Sequence, residues 1–362
     1  MSQRYAEITG WGTALPPAVL TNDDMSRIVE TSDDWIASRT GIKERRISHV
    51  DVSELGRVAG LRAIAAAGLE PDQIDMVINA TCTPENLLPA TAGLIQDKIG
   101  ATGAGAMDLN ANCSGFVYAH TVADSMVKTG VADRVLVLGV EKFSYIVDWT
   151  DRSTCVLFGD GAGAIVIEAT DRRVGLMASE LGNDGSAAEH LCLPGRGTAG
   201  HPAALDPLTA GVRMNGPEIF RRAVTMMGEA SQRVVEAAGW QLDEVDLLVP
   251  HQANQRILDA TARRLGLDNA KVFSNLHAYG NTSAATIPIA LAEALEQGRV
   301  TPGSNLVFVA FGGGLSWAAS AIKWGDRTEP VGTSDATLPA FEGDALELLR
   351  PNIEFFGGSI AP

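Results

Sequence analysis

Pro71-Asp72-Gln73-Ile74-Asp75-Met76-Val77-Ile78 is an acidic turn that runs into an apolar, strand-like segment, and Leu242-Asp243-Glu244-Val245-Asp246-Leu247-Leu248-Val249 repeats the pattern. The likeness extends downstream of both. Each copy continues through a polar stretch into a helix-like segment, Ala92 to Gly100 in the first and Leu258 to Gly266 in the second. A second short strand then leads into Asn112-Cys113-Ser114-Gly115 or Gly280-Asn281-Thr282-Ser283, followed by a longer helix over roughly residues 116–129 or 284–297. Each half then reaches an apolar strand, Arg134-Val135-Leu136-Val137-Leu138-Gly139 or Asn305-Leu306-Val307-Phe308-Val309-Ala310. Strands alternating with helices at this spacing predict βαβ units in an α/β protein. Two copies predict a molecule with pseudo-twofold symmetry, split into halves at 1–175 and 176–325, with an acidic extension at 326–362.

Composition narrows the possible functions. The 362 residues are 46% hydrophobic, enough for a large core, and the 38 glycines suit a tightly turned α/β chain. The apolar runs, such as Ala164-Ile165-Val166-Ile167, are too short to span a bilayer, and Met1-Ser2-Gln3-Arg4-Tyr5 lacks a signal-peptide stretch. Four cysteines form neither a disulfide framework nor a metal knuckle, so no metal is expected and a reducing cytoplasm is. A net charge of −16 argues against nucleic acid, whose binding rests on neutralising phosphates. The same charge means that any acidic ligand requires a local basic patch.

The duplication predicts that Cys113 and Asn281 hold corresponding positions, each after a strand and at the start of a helix. Ile74 to Cys113 spans 39 residues and Val245 to Asn281 spans 36. Ligands collect at the carboxyl ends of strands in open α/β sheets, so the two residues should converge, with His251 arriving from the end of the strand over 245–249. Unsatisfied N–H groups at a helix start favour a thiolate, and cysteines so placed reach pKa values of roughly 3.5–7.5. Cys82, Cys155 and Cys192 are read as small buried apolar residues. Asn281, in Gly-Asn-Thr, serves equally as a turn residue when read alone. Its carboxamide does not titrate near neutrality, yet it can donate to a developing oxyanion. His251 can stabilise such an oxygen or accept a proton. A thiol, an imidazole and a carboxamide together suit carbon–carbon bond formation on a thioester better than hydrolysis.

At these residues the chain resembles the beta-ketoacyl-acyl-carrier-protein synthase III family, condensing enzymes of the thiolase superfamily. The resemblance runs over roughly residues 4–325 and includes Thr31-Ser32-Asp33-Asp34-Trp35-Ile36, Arg39-Thr40-Gly41-Ile42, Phe158-Gly159-Asp160-Gly161-Ala162-Gly163 and Phe311-Gly312-Gly313-Gly314. It implies a thiolase fold of five layers, αβαβα, a homodimer, and no cofactor beyond a coenzyme A thioester as substrate. It also implies a two-step reaction. Cys113 takes an acyl group from acyl-CoA, and malonyl-acyl-carrier protein then loses carbon dioxide to give an enolate that attacks the acyl-enzyme. His251 and Asn281 would hold the malonyl thioester oxygen, while the backbone N–H groups of Cys113 and Gly313 would form the oxyanion hole, one such donor being worth ~3 kcal/mol.

By the same resemblance, Trp35 and Arg152 would sandwich adenine, and Thr31, Arg39, Met214, Gly216, Phe220 and Asn254 would line the coenzyme A path. Taken alone, Trp35 is equally a core aromatic. Leu88, Phe143, Phe158 and Phe311 would bound the acyl pocket, Leu88 from across the dimer. Many relatives carry Phe-Pro where this chain has Leu88-Pro89, which hints at a starter larger than acetyl, although Phe143 takes some of that space back. Arg256, Arg263 and Arg264, at i, i+7 and i+8 on one helical face, supply a basic patch for an acidic carrier protein, with Arg221 and Arg222 as additions. The irregular segment 193–211 is expected to shape the pocket or its entrance. The extension could be disordered or dock through Leu346-Glu347-Leu348-Leu349 and Phe355-Phe356. A second reading keeps the acyl-enzyme in a dedicated starter-unit synthase or acyltransferase of polyketide or other secondary metabolism.

Overall fold

The repeated acidic turn has a defined structural job. In the computed structural model, which describes residues 3–198 and 206–361, the Asp75 carboxylate accepts from the backbone N–H groups of Asp133 and Arg134. Asp246 accepts likewise from Asn305 N–H. Each aspartate thereby pins the start of one strand, Arg134–Lys142 or Asn305–Gly312, beside the strand next to its own turn, Met76–Ala80 or Leu247–Pro250. Both pairings are parallel.

Nine strands form a continuous ladder in the order Leu247–Pro250, Asn305–Gly312, Ser316–Lys323, Gly175–Asn183, Tyr5–Ala14, Asp160–Thr170, Arg134–Lys142, Met76–Ala80, Gly105–Leu109. The two halves touch within that ladder only at the pair Ala6 and Gly175, so it behaves as two sheets meeting at a corner. Helices Val52–Ala67 and Thr91–Ile99 cover the outer face of the first sheet with one apolar cluster. Helices Gly216–Ala237 and Gln255–Leu265 cover the second with another. Between the sheets lie Gly115–Thr129 and Thr286–Glu296, which share a third cluster with residues of both. This is the expected five-layer αβαβα thiolase arrangement. The middle helices are buried on nearly all sides, and Thr286–Glu296 is accordingly apolar around most of its circumference.

One expected correspondence is corrected. Asn112 (φ 51°) and Ser283 (φ 50°) are the only non-glycine residues with positive φ among those described, and each opens a short 3₁₀ turn, Asn112–Ser114 or Ser283–Ala285. Cys113 therefore matches Ala284, and both lie 39 residues beyond the matched Ile74 and Val245. Asn281 matches Asn110. Cys113 and Asn281 are alike in their chemical setting rather than in backbone position, which is why their offsets differ by three residues.

After Lys323 the chain runs over its own surface and forms the helix Ala345–Phe355. Its Leu346, Leu349 and Ile353 are buried, so the docking alternative holds, whereas Phe355 stays 37% exposed.

Candidate active site

A cavity of about 1060 Å³ opens between the halves and is lined by Cys113, His251 and Asn281 together. Cys113 and His251 follow the strands Gly105–Leu109 and Leu247–Pro250, whereas Asn281 follows the short helix Leu276–Tyr279 in place of the expected second strand, and all three are almost fully buried. The turn carrying Cys113 is fastened to the second half: Asn112 Nδ2 donates to Gly313 O (3.0 Å), and Ser114 Oγ donates to Ser316 Oγ (2.7 Å). Gly312 makes this approach possible, since a Cβ there would sit 2.8 Å from the Cys113 nitrogen.

His251 is held by its backbone N–H on Val309 O (2.8 Å) and by its ring Nδ1, 2.7 Å from Thr286 Oγ1. Thr286 donates its single hydroxyl proton to Ser283 O (2.9 Å), so it accepts from His251 Nδ1–H, which leaves Nε2 as a bare lone pair. Burial lowers the imidazole to about 3, and it is neutral at physiological pH. Asn281 is fixed at both ends of its peptide unit, with its N–H on Leu157 O (2.8 Å) and its carbonyl accepting from Gly159 N (3.0 Å). Its side-chain oxygen accepts from Ser283 N–H (2.8 Å), which leaves the amide N–H₂ as the donor.

The expected lowering of the Cys113 pKa is not found. Burial pushes the thiol up to about 12, while Ser283 and the cysteine's own backbone N–H act in the opposite direction. Desolvation outweighs the helix start, and the resting group is a thiol.

Sequence reading missed the layer beneath these residues. Glu141 is fully buried and accepts from Ser283 Oγ (2.9 Å), Thr81 Oγ1 (3.1 Å), Thr83 N–H (3.1 Å) and the Cys82 thiol (3.3 Å). Burial raises its pKa. The Cys82 thiol, next to that carboxylate, is raised well above its usual value, chiefly by burial. Cys82 and Cys192 line the cavity and are half-buried, which corrects their reading as core residues; Cys155 is buried as expected. A glutamate near the end of a strand of valines and leucines, Arg134–Lys142, was the available signal.

The remaining expected residues divide. Trp35, Arg39, Phe143, Phe158, Met214, Gly216, Phe220, Asn254, Phe311 and Gly313 line the cavity. Arg39 and Arg152 each place a guanidinium 4.7 Å from the Trp35 ring centre, although Arg152 is not part of the lining. Thr31 is outside it, and Leu88 stands 88% exposed, away from its own chain's cavity. Arg256 lines the cavity mouth over the Phe220 ring (5.5 Å). Arg264 is engaged by Glu229 (2.9 Å), and Arg221 and Arg222 are engaged by Glu218. Among the described residues, neither Arg256 nor Arg263 forms an ion pair. Of the segment 193–211, residues 199–205 lie outside the described residues; Leu193, Arg196 and Gly197 line the cavity.

Residues 107–185 match the family 3-oxoacyl-[acyl-carrier-protein] synthase III, and residues 235–324 match its C-terminal region. A protein of Vibrio cholerae named beta-ketoacyl-[acyl-carrier-protein] synthase III 2 is 48% identical over 354 residues, covering 98% of each chain. The chain belongs to this synthase III family. A beta-ketoacyl-[acyl-carrier-protein] synthase III of Roseiflexus is 50% identical over 325 residues, covering 88% of this chain and 98% of the relative. The crystal structure of 3-oxoacyl-[acyl-carrier-protein] synthase III from Aquifex aeolicus superposes with a TM-score of 0.83 at 45% identity, covering 88% of this chain and all of that one. Among the described residues no helix is long and apolar enough to cross a membrane.

Proposed function

We propose that this synthase III condenses an acyl-CoA starter with malonyl-acyl-carrier protein to give a 3-oxoacyl-carrier protein, initiating fatty acid synthesis, with Cys113, His251 and Asn281 as its catalytic residues. The supporting observation is the asymmetry of donors and acceptors around the thiol: one neutral amide donor, one bare imidazole nitrogen and, among the described residues, no carboxylate in contact with His251. In the first step the Cys113 sulfur attacks the thioester carbonyl while its proton passes to His251 Nε2. The acyl–CoA bond breaks, and the departing CoA thiolate takes that proton. The acyl oxygen sits on the N–H groups of Cys113 and Gly313.

In the second step the malonyl carboxylate leaves as carbon dioxide and its electrons form the enolate. Asn281 Nδ2–H stabilises the enolate oxygen outright, whereas His251 donates to it only when Nε2 carries a proton. The enolate carbon then bonds to the acyl carbon, and the Cys113 sulfur leaves as a thiolate that takes up one proton from solvent, the proton that the overall condensation consumes. Phe311, 4% exposed against the site, helps keep water from the acyl-enzyme.

Trp35, Arg39 and Arg152 would take the nucleotide, and Thr31, Met214, Gly216, Phe220 and Asn254 the path beside it. Arg256, with Arg263, would meet the carrier protein; Arg264 is largely spent on Glu229. A homodimer would bring the exposed Leu88 to a partner's acyl pocket beside Phe143 and Phe158. The enzyme would work in the cytoplasm without a further cofactor. Intact-protein mass spectrometry with acyl-CoAs tests the core of this reading: the wild-type chain should gain one acyl mass and Cys113→Ala none. Acylation of the alanine variant would overturn the assignment of the nucleophile.

A further inference from the structure

Two of the relatives differ in length at one place. The Vibrio cholerae protein aligns over 354 residues and so includes a counterpart of 326–362, whereas the Roseiflexus protein is matched over 98% of its length by 325 residues, leaving no length for one. At least one relative thus reaches its full length without room for such a segment, yet here it is closely fitted. Arg327 donates to Thr9 O and Ala67 O (both 2.8 Å), and the carbonyls of Ala336 and Thr337 accept from Arg62 and Arg57 of the outer helix Val52–Ala67. Phe341 then stacks on the His49 ring, with centres 4.9 Å apart. Asp344 and Glu347 form a capping box that starts the helix Ala345–Phe355.

That helix sits behind the acyl cavity. Leu346, Leu349 and Ile353 join the apolar cluster that contains Phe143, Ile146, Val147, Trp149 and Phe158. Phe143 and Phe158, stacked at 4.1 Å, and Ile146 line the cavity from the other side of the same cluster. Ser144 O, between them, accepts from both Trp149 Nε1 (3.1 Å) and Asn352 Nδ2 (3.0 Å). Beyond the helix, Phe356 packs against Gly211, next to the cavity-lining Val212, and Ala361 exchanges hydrogen bonds with Arg27. The helix packs on the strands Ala18–Thr21 and Glu44–Ile47 and is tied to the cavity wall over 143–149 by the Asn352 bond and the shared apolar cluster.

We propose that segment 326–362 is a specificity element, in which the helix Ala345–Phe355 braces the 143–149 wall and limits how far it yields to a long acyl chain. Packed interiors transmit small volume changes, and one methylene in an apolar pocket is worth roughly a 10- to 200-fold discrimination. Acyl selectivity is then set partly by residues that never touch the acyl group. The proposal rests on the acyl-enzyme reading above.

The test compares Cys113 acylation rates for straight-chain acyl-CoAs from acetyl to decanoyl in the full-length wild type, Leu349→Ala, Ile353→Val and Asn352→Ala, with exposed Glu354→Gln as control. Truncating the brace should leave the acetyl rate within about twofold and raise the long-chain to acetyl ratio by roughly fivefold or more. Ile353→Val and Asn352→Ala, which remove one methylene or one hydrogen bond, should shift the ratio in the same direction to a smaller extent. They carry the test if Leu349→Ala does not fold. Unchanged ratios in the folded variants, even with lower melting temperatures, would overturn the proposal and leave the segment a stabilising strap. Failure of the wild type to acylate with any acyl-CoA would instead sink the functional reading.

Discussion

Asn281 and His251 look interchangeable as hydrogen-bonding partners for an enolate, but their surroundings give them different work. The Asn281 oxygen is consumed by Ser283 N–H, so only its N–H₂ is left to donate. We expect Asn281→Ala to acylate at near the wild-type rate and to lose roughly a hundred- to a thousandfold in malonyl decarboxylation, the usual cost of one oxyanion donor. Labelled carbon dioxide release against acyl-enzyme formation would show it, and equal loss in both steps would refute the assignment. His251, with its pKa lowered from 6.5 to about 3 by burial, stays neutral as pH falls through 6.5. Decarboxylation should therefore be flat between about pH 6 and pH 8, because an imidazole of lowered pKa gains its proton only far below that range. An inflection near 6.5 that disappears in His251→Asn would contradict this.

At the scale of elements, the helix Gln255–Leu265 shows why spacing alone does not define a basic patch. Arg256, Arg263 and Arg264 share a face in the sequence, but Arg264 crosses Gly228 of the neighbouring helix Gly216–Ala237 and pairs with Glu229. Arg256 lines the cavity and, among the described residues, forms no ion pair. Arg256→Glu should raise the KM for malonyl-acyl-carrier protein by about fivefold, equivalent to roughly 1 kcal/mol, with less effect on the KM for acyl-CoA. Steady-state kinetics with each substrate varied separately would decide it. Similar reasoning explains the cysteine turn. Its motif was legible as a strand–turn–helix start, but the pKa was not, because a short sequence shows the helix N–H groups and hides the burial that outweighs them.

In the whole molecule, the two halves meet through backbone contact as well as side chains. Gly139, in the strand Arg134–Lys142, lies so near the turn before Thr286–Glu296 that a Cβ would fall 2.3 Å from Ala284 O. Gly139→Ala should destabilise the protein by about 3 kcal/mol through overpacking of backbone against backbone. The urea midpoint measures it, and an unchanged midpoint would show that the halves can slide apart without loss.

The sequence by itself determined the duplicated α/β architecture, because acidic turns and apolar periodicity are local signals repeated in order. It also determined the chemical set of thiol, imidazole and amide, since those residue types sit in short motifs. Only the tertiary structure decided which backbone positions correspond, that Glu141 and Ser283 underlie the site, and that the extension is tied to the cavity wall. Those facts depend on contacts between residues far apart in the chain, where burial and hydrogen-bond partners are set by packing and leave no periodic trace.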